Sequence, residues 1–154
     1  MLTVNERIEV MTAPNNVWAI LSNPHEVVHC VEGAELGQQL DDGSFDATMT
    51  VKFGPAKVAF NANVLLTLEP ASLSGEVSGR GKDTKGGTKF RTTMRFKVEN
   101  GANPDQSAIA ITAEVEISGR LASMIETGAS LVIKRMTASF TQALAKRCST
   151  GQIT

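Results

Sequence analysis

The chain has 154 residues, of which 42% are hydrophobic, so it suits one domain with one core and is too short for two well-packed domains. Fifteen Lys and Arg against sixteen Asp and Glu give a net charge of -1, which argues against nucleic-acid binding through a global positive field. The longest apolar run, Val17 to Leu21, is far shorter than the roughly 20 residues of a membrane-spanning helix. We therefore expect a single domain over residues 1–154.

The first elements are a strand and two short helices. Thr3 to Met11 predicts a strand, and Thr12 is a candidate cap for a helix from Pro14 to Leu21, because proline at a helix start forfeits no bonded N–H. A second short helix is predicted from Pro24 to Val31 and stops at Gly33.

Strands with two-residue alternation of apolar and polar side chains follow. Turn residues such as Gly54-Pro55 separate them, so the strands are expected to form an antiparallel meander. The predicted strands are Glu35 to Leu40, Phe45 to Phe53, Val58 to Leu68, a weaker one from Leu73 to Gly81, Phe90 to Val98, and Ile109 to Ile117.

The last long stretch, Ser118 to Cys148, predicts one helix with Ser118 as its N-cap and Gly151 as its stop. Its apolar residues fall on one stripe, so the helix must lie against an apolar partner. The stripe consists of Leu121, Met124, Ile125, Gly128, Ala129, Val132, Met136, Phe140 and Ala143. We predict an α+β fold in which a curved antiparallel sheet of about seven strands packs around this helix.

A bent sheet and a straight helix cannot touch along their full lengths, so an apolar cavity is expected between them. The small residues Gly128, Ala129 and Ser130 would widen it, or would only permit close packing. The candidate lining residues are Met49, Phe53, Phe60, Val64, Phe90, Met94, Phe96, Ile111, Met124, Gly128, Val132 and Met136.

Several local motifs, in this order and spacing, resemble the CoxG branch of the START and Bet v 1-like (SRPBCC) helix-grip superfamily, a branch named after a carbon monoxide dehydrogenase subunit. They cover nearly the whole chain: Ala13-Pro14 before Val17-Trp18, the run Cys30 to Glu35, Val51 to Pro55, the glycine loop from Gly79 to Gly87, and Gly119 to Ala122. The chain departs from that branch at Glu32, where proline is usual. It also ends at Thr154 without the hydrophobic C-terminal extension of some members, which argues against anchoring by such a tail.

The resemblance implies a binding or accessory protein beside a molybdenum-containing dehydrogenase, with a quinone, a lipid or another apolar guest. Two alternatives remain open. An enzyme of the polyketide cyclase or dehydratase type would be favoured by an inward-facing acid or His, and a pure protein-interaction module by a cavity filled with its own Phe and Met. We identify no catalytic constellation and expect no cofactor.

The segment His25-Glu26-Val27-Val28-His29 matches the zinc-protease pattern of two histidines one helical turn apart. Cys30 or Glu35 could be imagined as another ligand, but no third ligand stands at a recognised spacing and no second lobe forms a cleft. We therefore predict that both histidines are exposed and hold no metal.

Other polar features are weaker. The glycine-rich stretch Gly79 to Lys89 lacks the Lys-Ser or Lys-Thr of a phosphate loop, so a hairpin loop is expected there. The alternation places no paired carboxylates inward, and Thr92 is the main polar group of the inferred interior. Cys30 and Cys148 form no C-x-x-C pair, and no signal segment opens the chain, so reduced thiols and a cytoplasmic location are expected.

Basic residues crowd one hairpin, where they could touch acidic lipid headgroups at the inner face of a membrane or an acidic protein partner. The alternative is a solvated outer face that discourages edge aggregation. Glu114 and Glu116 could lie across from this row. The basic residues are Arg80, Lys82, Lys85, Lys89, Arg91, Arg95 and Lys97.

Overall fold

A computed structural model describes residues 2–151, with side chains up to Cys148. In chain order the elements are β1 (Leu2–Val10), α1 (Pro14–Leu21), α2 (Pro24–Val27), a 3-10 turn (Val28–Cys30), β2 (Ala34–Gln39), β3 (Phe45–Phe53), β4 (Ala56–Glu69), a second 3-10 turn (Pro70–Ser72), β5 (Ser74–Asp83), β6 (Thr88–Asn100), β7 (Ser107–Gly119) and α3 (Ala122–Gly151).

The strands form one antiparallel sheet in the order β1-β7-β6-β5-β4-β3-β2. Strands β2 to β7 form a meander, and β1 is the edge strand that pairs with β7. Alternating side chains make one face apolar and the other polar, as the sequence predicts. The Gly54-Pro55 turn joins β3 to β4, with Gly54 at a φ of 65°, a conformation that favours glycine. The predicted curved sheet around a long C-terminal helix is confirmed.

The start of α3 differs from the prediction. Ser118 is not its N-cap but pairs with Lys89 as part of β7, because the long strand β6 continues the ladder as far as Gly119. The chain then turns, and the Leu121 N–H donates to the Thr88 side-chain oxygen at 2.9 Å. The β5–β6 hairpin therefore sets where the helix begins.

The short helices also differ in detail. Ala13, not Thr12, is the N-cap of α1, and the Thr12 hydroxyl instead accepts a hydrogen bond from the Asn16 amide at 3.1 Å. The predicted second helix is shorter, since α2 ends at Val27 and gives way to the 3-10 turn. Asn23 caps it by accepting from the His25 N–H at 3.0 Å.

Two apolar clusters hold α3 against the concave face of the sheet. The α1 cluster consists of buried Ile8, Val10, Val17, Ile20, Leu21, Cys30, Phe96, Val98, Ile109, Leu144 and Cys148. The β3 cluster consists of buried Val51, Val58, Phe60, Ile125 and Val132. The first half of the helix thus packs on β3 and β4, and its last turns pack on α1 and β1.

Polar contacts reinforce this placement of the helix. Arg135 donates to the Lys52 carbonyl at 3.1 Å and lies 3.6 Å from Glu32, the residue that replaces the expected proline. Arg147 pairs with Glu26 at 3.1 Å. These ion pairs are partly exposed, so each contributes little to stability.

Candidate functional site

Most of the predicted cavity residues pack into the two clusters. Phe60 and Val132 belong to the β3 cluster, and Met49, Phe53, Phe90, Met124 and Met136 pack against it. Phe96 belongs to the α1 cluster, and Ile111 packs against that one. Gly128 lies beside Phe53. The predicted lining is therefore divided between the two ends of the helix, while Val64 and Met94 join neither cluster.

Between the clusters runs a strip of inward-facing side chains that we call the central band: Leu2, Val4, Val64, Thr92, Met94 and Val115. Cross-strand pairing sets them side by side, since Val64 faces Gly79, Gly79 faces Thr92, and Thr92 faces Val115. Val115 in turn faces Leu2, and the neighbouring row pairs Met94 with Ala113 and Ala113 with Val4.

The central band is more exposed to solvent than the buried residues of the two clusters. Its members are partly exposed, and Met94 is 36% exposed although it lies on the concave face. On the helix, Met136 packs on the β3 cluster and Phe140, one turn later, packs on the α1 cluster. The helix therefore crosses the band between these two residues.

A carboxylate borders the band. In β1 the inward positions are Leu2, Val4, Glu6, Ile8 and Val10, and the partly buried Glu6 lies opposite Ile111. Within the described chain the Glu6 side chain makes no hydrogen bond or ion pair. The expectation that Thr92 is the main polar group of the interior is therefore incomplete, because it leaves out Glu6. The alternation of β1 is visible in the sequence and could have identified it.

A second inward carboxylate, Asp83, ends β5 and is 3% exposed. Burial acts to raise the pKa of this carboxyl, but hydrogen bonds from the Gly87 N–H and the Thr88 hydroxyl help to hold that pKa below its ordinary value. One carboxylate oxygen accepts from Gly87 at 3.1 Å, while the other is buried without a partner in the described chain. Because Thr88 also accepts from Leu121, Asp83 secures the hairpin that positions α3.

The His25 to His29 motif does not form a ligand pair on one helix. Both histidines are exposed, as predicted, and α2 ends before His29. The His25 ring packs edge-on against Phe45, with the ring centroids 5.8 Å apart. Over residues 2–151 no group of three or more His, Cys, Asp or Glu side chains is arranged to hold a metal ion.

Cys30 and Cys148 are free thiols that share the α1 cluster. Burial raises the pKa of both thiols, and for Cys30 the nearby Arg147 opposes part of this rise. Both side chains are thus neutral packing groups near pH 7.

Except for Lys85, which lies in the turn between β5 and β6, the basic residues lie on the convex face, on the opposite side of the sheet from the central band. All of them are exposed, as predicted for an outer face. They do not form a sheet edge, because β5 and β6 are interior strands. Glu116 lies across from Arg91, as expected, whereas Glu114 faces Thr93 instead of a basic residue.

The sequence matches, over residues 7–149, the family model that describes CoxG, a subunit of carbon monoxide dehydrogenase. The chain belongs to the CoxG family. A comparison with curated proteins finds no match. In the described part of the chain, no helix is both long enough and apolar enough to cross a membrane.

Solved structures share the CoxG chain's fold at low sequence identity. A conserved protein from Geobacillus kaustophilus is 18% identical, with 96% of this chain and 95% of the other covered and a TM-score of 0.82. The Zhui aromatase/cyclase from Streptomyces sp. R1128 is 12% identical over 96% and 93% of the two chains, with a TM-score of 0.61. A START superfamily protein from Mycobacterium smegmatis is 18% identical over 99% of both chains, with a TM-score of 0.58.

Proposed function

We propose that this CoxG family member binds a hydrophobic small molecule, such as a quinone or a lipid, in the central band. We further propose that it acts by binding and not by catalysis, as an accessory of a molybdenum-containing carbon monoxide dehydrogenase-type enzyme. Family membership and fold support the ligand-binding accessory role.

The observation that carries the proposal is the exposure of the band. Its apolar side chains face the helix but are covered by neither cluster, and Met94 keeps 36% of its surface in water. Covering such a strip with an apolar ligand removes this surface from water, which is favourable by about 25 cal/mol per Å². The two clusters hold the helix at both ends, so a guest bound between them would leave both clusters packed.

The band also carries polar groups that fit a particular kind of guest. The Thr92 hydroxyl can donate a hydrogen bond to a ligand carbonyl, such as that of a quinone. The carboxyl oxygens of Glu6, at the border of the band, can accept a hydrogen bond, so they suit a ligand hydroxyl. A guest with an apolar body and one or two oxygen atoms therefore matches the band better than a plain hydrocarbon.

Native mass spectrometry of the purified protein, with organic extraction of what copurifies, tests the ligand. A Met94→Glu variant should weaken binding of an apolar probe or a soluble quinone by about tenfold or more, because it places a charge against the guest. Leu131→Glu is the matched control, since Leu131 is an apolar helix residue that is 76% exposed. Equal affinities of both variants and the native protein would contradict the proposed site.

The proposed association with a dehydrogenase needs its own experiment. Affinity purification of the tagged protein from its source cells should enrich molybdenum, measured by elemental mass spectrometry, over a purification of an unrelated tagged protein. Molybdenum at the level of that control would contradict the association and leave the ligand proposal standing.

Glu6 favours a second candidate function, an enzyme of the polyketide cyclase or dehydratase type. Such chemistry needs an acid or base beside the substrate, and Glu6 is a carboxylate on the concave face. Turnover of a short poly-β-ketone substrate that is lost in Glu6→Gln, with probe binding retained, would contradict the proposal that the protein acts without catalysis and would favour this second function.

A further inference from the structure

The convex face of the sheet carries an open groove of about 710 Å³. Four basic side chains from two neighbouring strands line it: Arg80 and Lys82 on β5, and Lys89 and Arg91 on β6. We call these four residues the cationic square. The groove lies on the face opposite to the central band, so a ligand there would be independent of the proposed apolar guest.

The pairing within the cationic square is electrostatically unfavourable. Arg80 faces Arg91 directly across the two strands, and Lys82 faces Lys89. Like charges directly opposite in an antiparallel pair destabilise a sheet. In residues 2–151 none of the four forms an ion pair. Hydrogen bonds from Ser44 chiefly hold the pKa of the nearby Asp42 carboxyl below its ordinary value, and attraction by Arg80 adds to this effect.

Another basic side chain of the same sheet is neutralised. Arg95, further along β6, lies 3.5 Å from Glu76, its cross-strand partner on β5. The strands can therefore place an acid opposite a base, but in the groove they place base opposite base. Among the cross-strand partners of the cationic square in the described sheet, only Glu116, opposite Arg91, is an acid, so an anion from outside the chain would supply the remaining countercharge.

Strand geometry keeps the four side chains close together, which favours a compact anion. Neighbouring strands lie about 4.8 Å apart, and alternate residues lie about 6.7 Å apart along a strand. The four side chains therefore leave the backbone at the corners of a compact rectangle. An acidic residue lies on each side of this rectangle. On one side Arg80 pairs with Asn63, which pairs with Asp46, and on the other side Arg91 pairs with Glu116. These acids disfavour an extended polyanion or a flat anionic membrane surface.

We propose that the cationic square binds a compact, multiply charged phosphate group, namely the di- or triphosphate end of a free small molecule such as a nucleotide. Arginine forks bind phosphate oxygens in pairs, and lysine adds point charge. The exposed Asn61, which faces Lys82 in the groove, adds an amide donor beside the phosphate.

Isothermal titration with inorganic pyrophosphate tests the site directly. The native protein should bind one pyrophosphate in a saturable manner, and affinity should fall with added salt. Arg80→Gln combined with Arg91→Gln should weaken binding by about tenfold or more, because two charge-assisted contacts are lost. Arg95→Gln combined with Lys97→Gln, which removes equal charge from the same face, should change affinity by less than about twofold.

Thermal melting separates ligand loss from misfolding. The groove double variant should melt no lower than the native protein, since it removes a repulsive pair. Pyrophosphate should raise the melting temperature of the native protein and of the Arg95→Gln, Lys97→Gln control, and raise that of the groove double variant much less. Absence of saturable pyrophosphate binding, or an equal loss in the control variant, would overturn the proposal. So would binding of phosphatidylglycerol vesicles through these four residues that pyrophosphate cannot displace, since it would assign the groove to a membrane surface.

Discussion

Replacement of Gly128 on α3 tests how closely the helix approaches the sheet. A Cβ atom at this position would lie 3.3 Å from a ring carbon of Phe53, so a large side chain has no free space there. Gly128→Phe should therefore destabilise the protein by the roughly 1–3 kcal/mol typical of overpacking. For a chain of this size that corresponds to a melting temperature about 3–10 °C lower. The same contact favours the close-packing interpretation of Gly128 over a cavity-widening role.

A double-mutant cycle attributes this cost to one contact. Removing the ring with Phe53→Ala vacates the space that the new side chain needs, so Gly128→Phe should cost less in that background, with a coupling of about 0.5–3 kcal/mol in chemical-denaturant unfolding. Gly128→Ala is the mild control, since the half-buried Phe53 can shift by a few tenths of an ångström and alanine gains up to about 1 kcal/mol of helix propensity. An unchanged melting temperature for Gly128→Phe, together with zero coupling, would mean that Gly128 faces open space.

Two further predictions concern stability. Leu144→Ala should lower the free energy of unfolding by about 2–5 kcal/mol, because Leu144 is fully buried in the α1 cluster; a loss below about 1 kcal/mol in urea unfolding would contradict its place in that core. Asp83→Asn should make the melting temperature depend less on pH in the acid range. The folded-state pKa of Asp83 is lowered, so its ionised form stabilises the fold above the unfolded pKa of about 3.9. This contribution is lost as pH falls through the folded pKa. Parallel melting curves of the native protein and Asp83→Asn from about pH 6 to about pH 2 would refute it.

The fold could be predicted because its main patterns are local. Alternation along β3, β4, β6 and β7 determines which face of each strand is apolar, and the stripe on α3 requires a partner for that face. The helix start could not be found in the same way. Ser118 belongs to β7 because Lys89 pairs with it from another strand, and that partner lies outside any local window.

The site was predicted less completely because it depends on where the helix crosses the sheet. Local periodicity identifies Met94 and Phe96 equally as inward residues of β6, yet Phe96 is buried in the α1 cluster while Met94 stays 36% exposed. Their difference arises from the division of the core into two clusters, which is a property of the whole packing. Leu144, fully buried but absent from the predicted stripe, was missed because the stripe was placed one residue away at Ala143.

Alternation on β6 allows the two proposed sites to be tested against each other. Arg91 points to the convex groove, whereas its neighbour Thr92 and the nearby Met94 point to the central band, so the sheet itself separates the two ligands. A groove variant such as Arg91→Gln should then keep its affinity for an apolar probe, and Met94→Glu should keep its affinity for pyrophosphate. General loss of structure would abolish both affinities in both variants. If each variant loses affinity for the ligand of its own site and keeps affinity for the other ligand, the two sites bind separately. This test does not depend on the identity of either natural ligand.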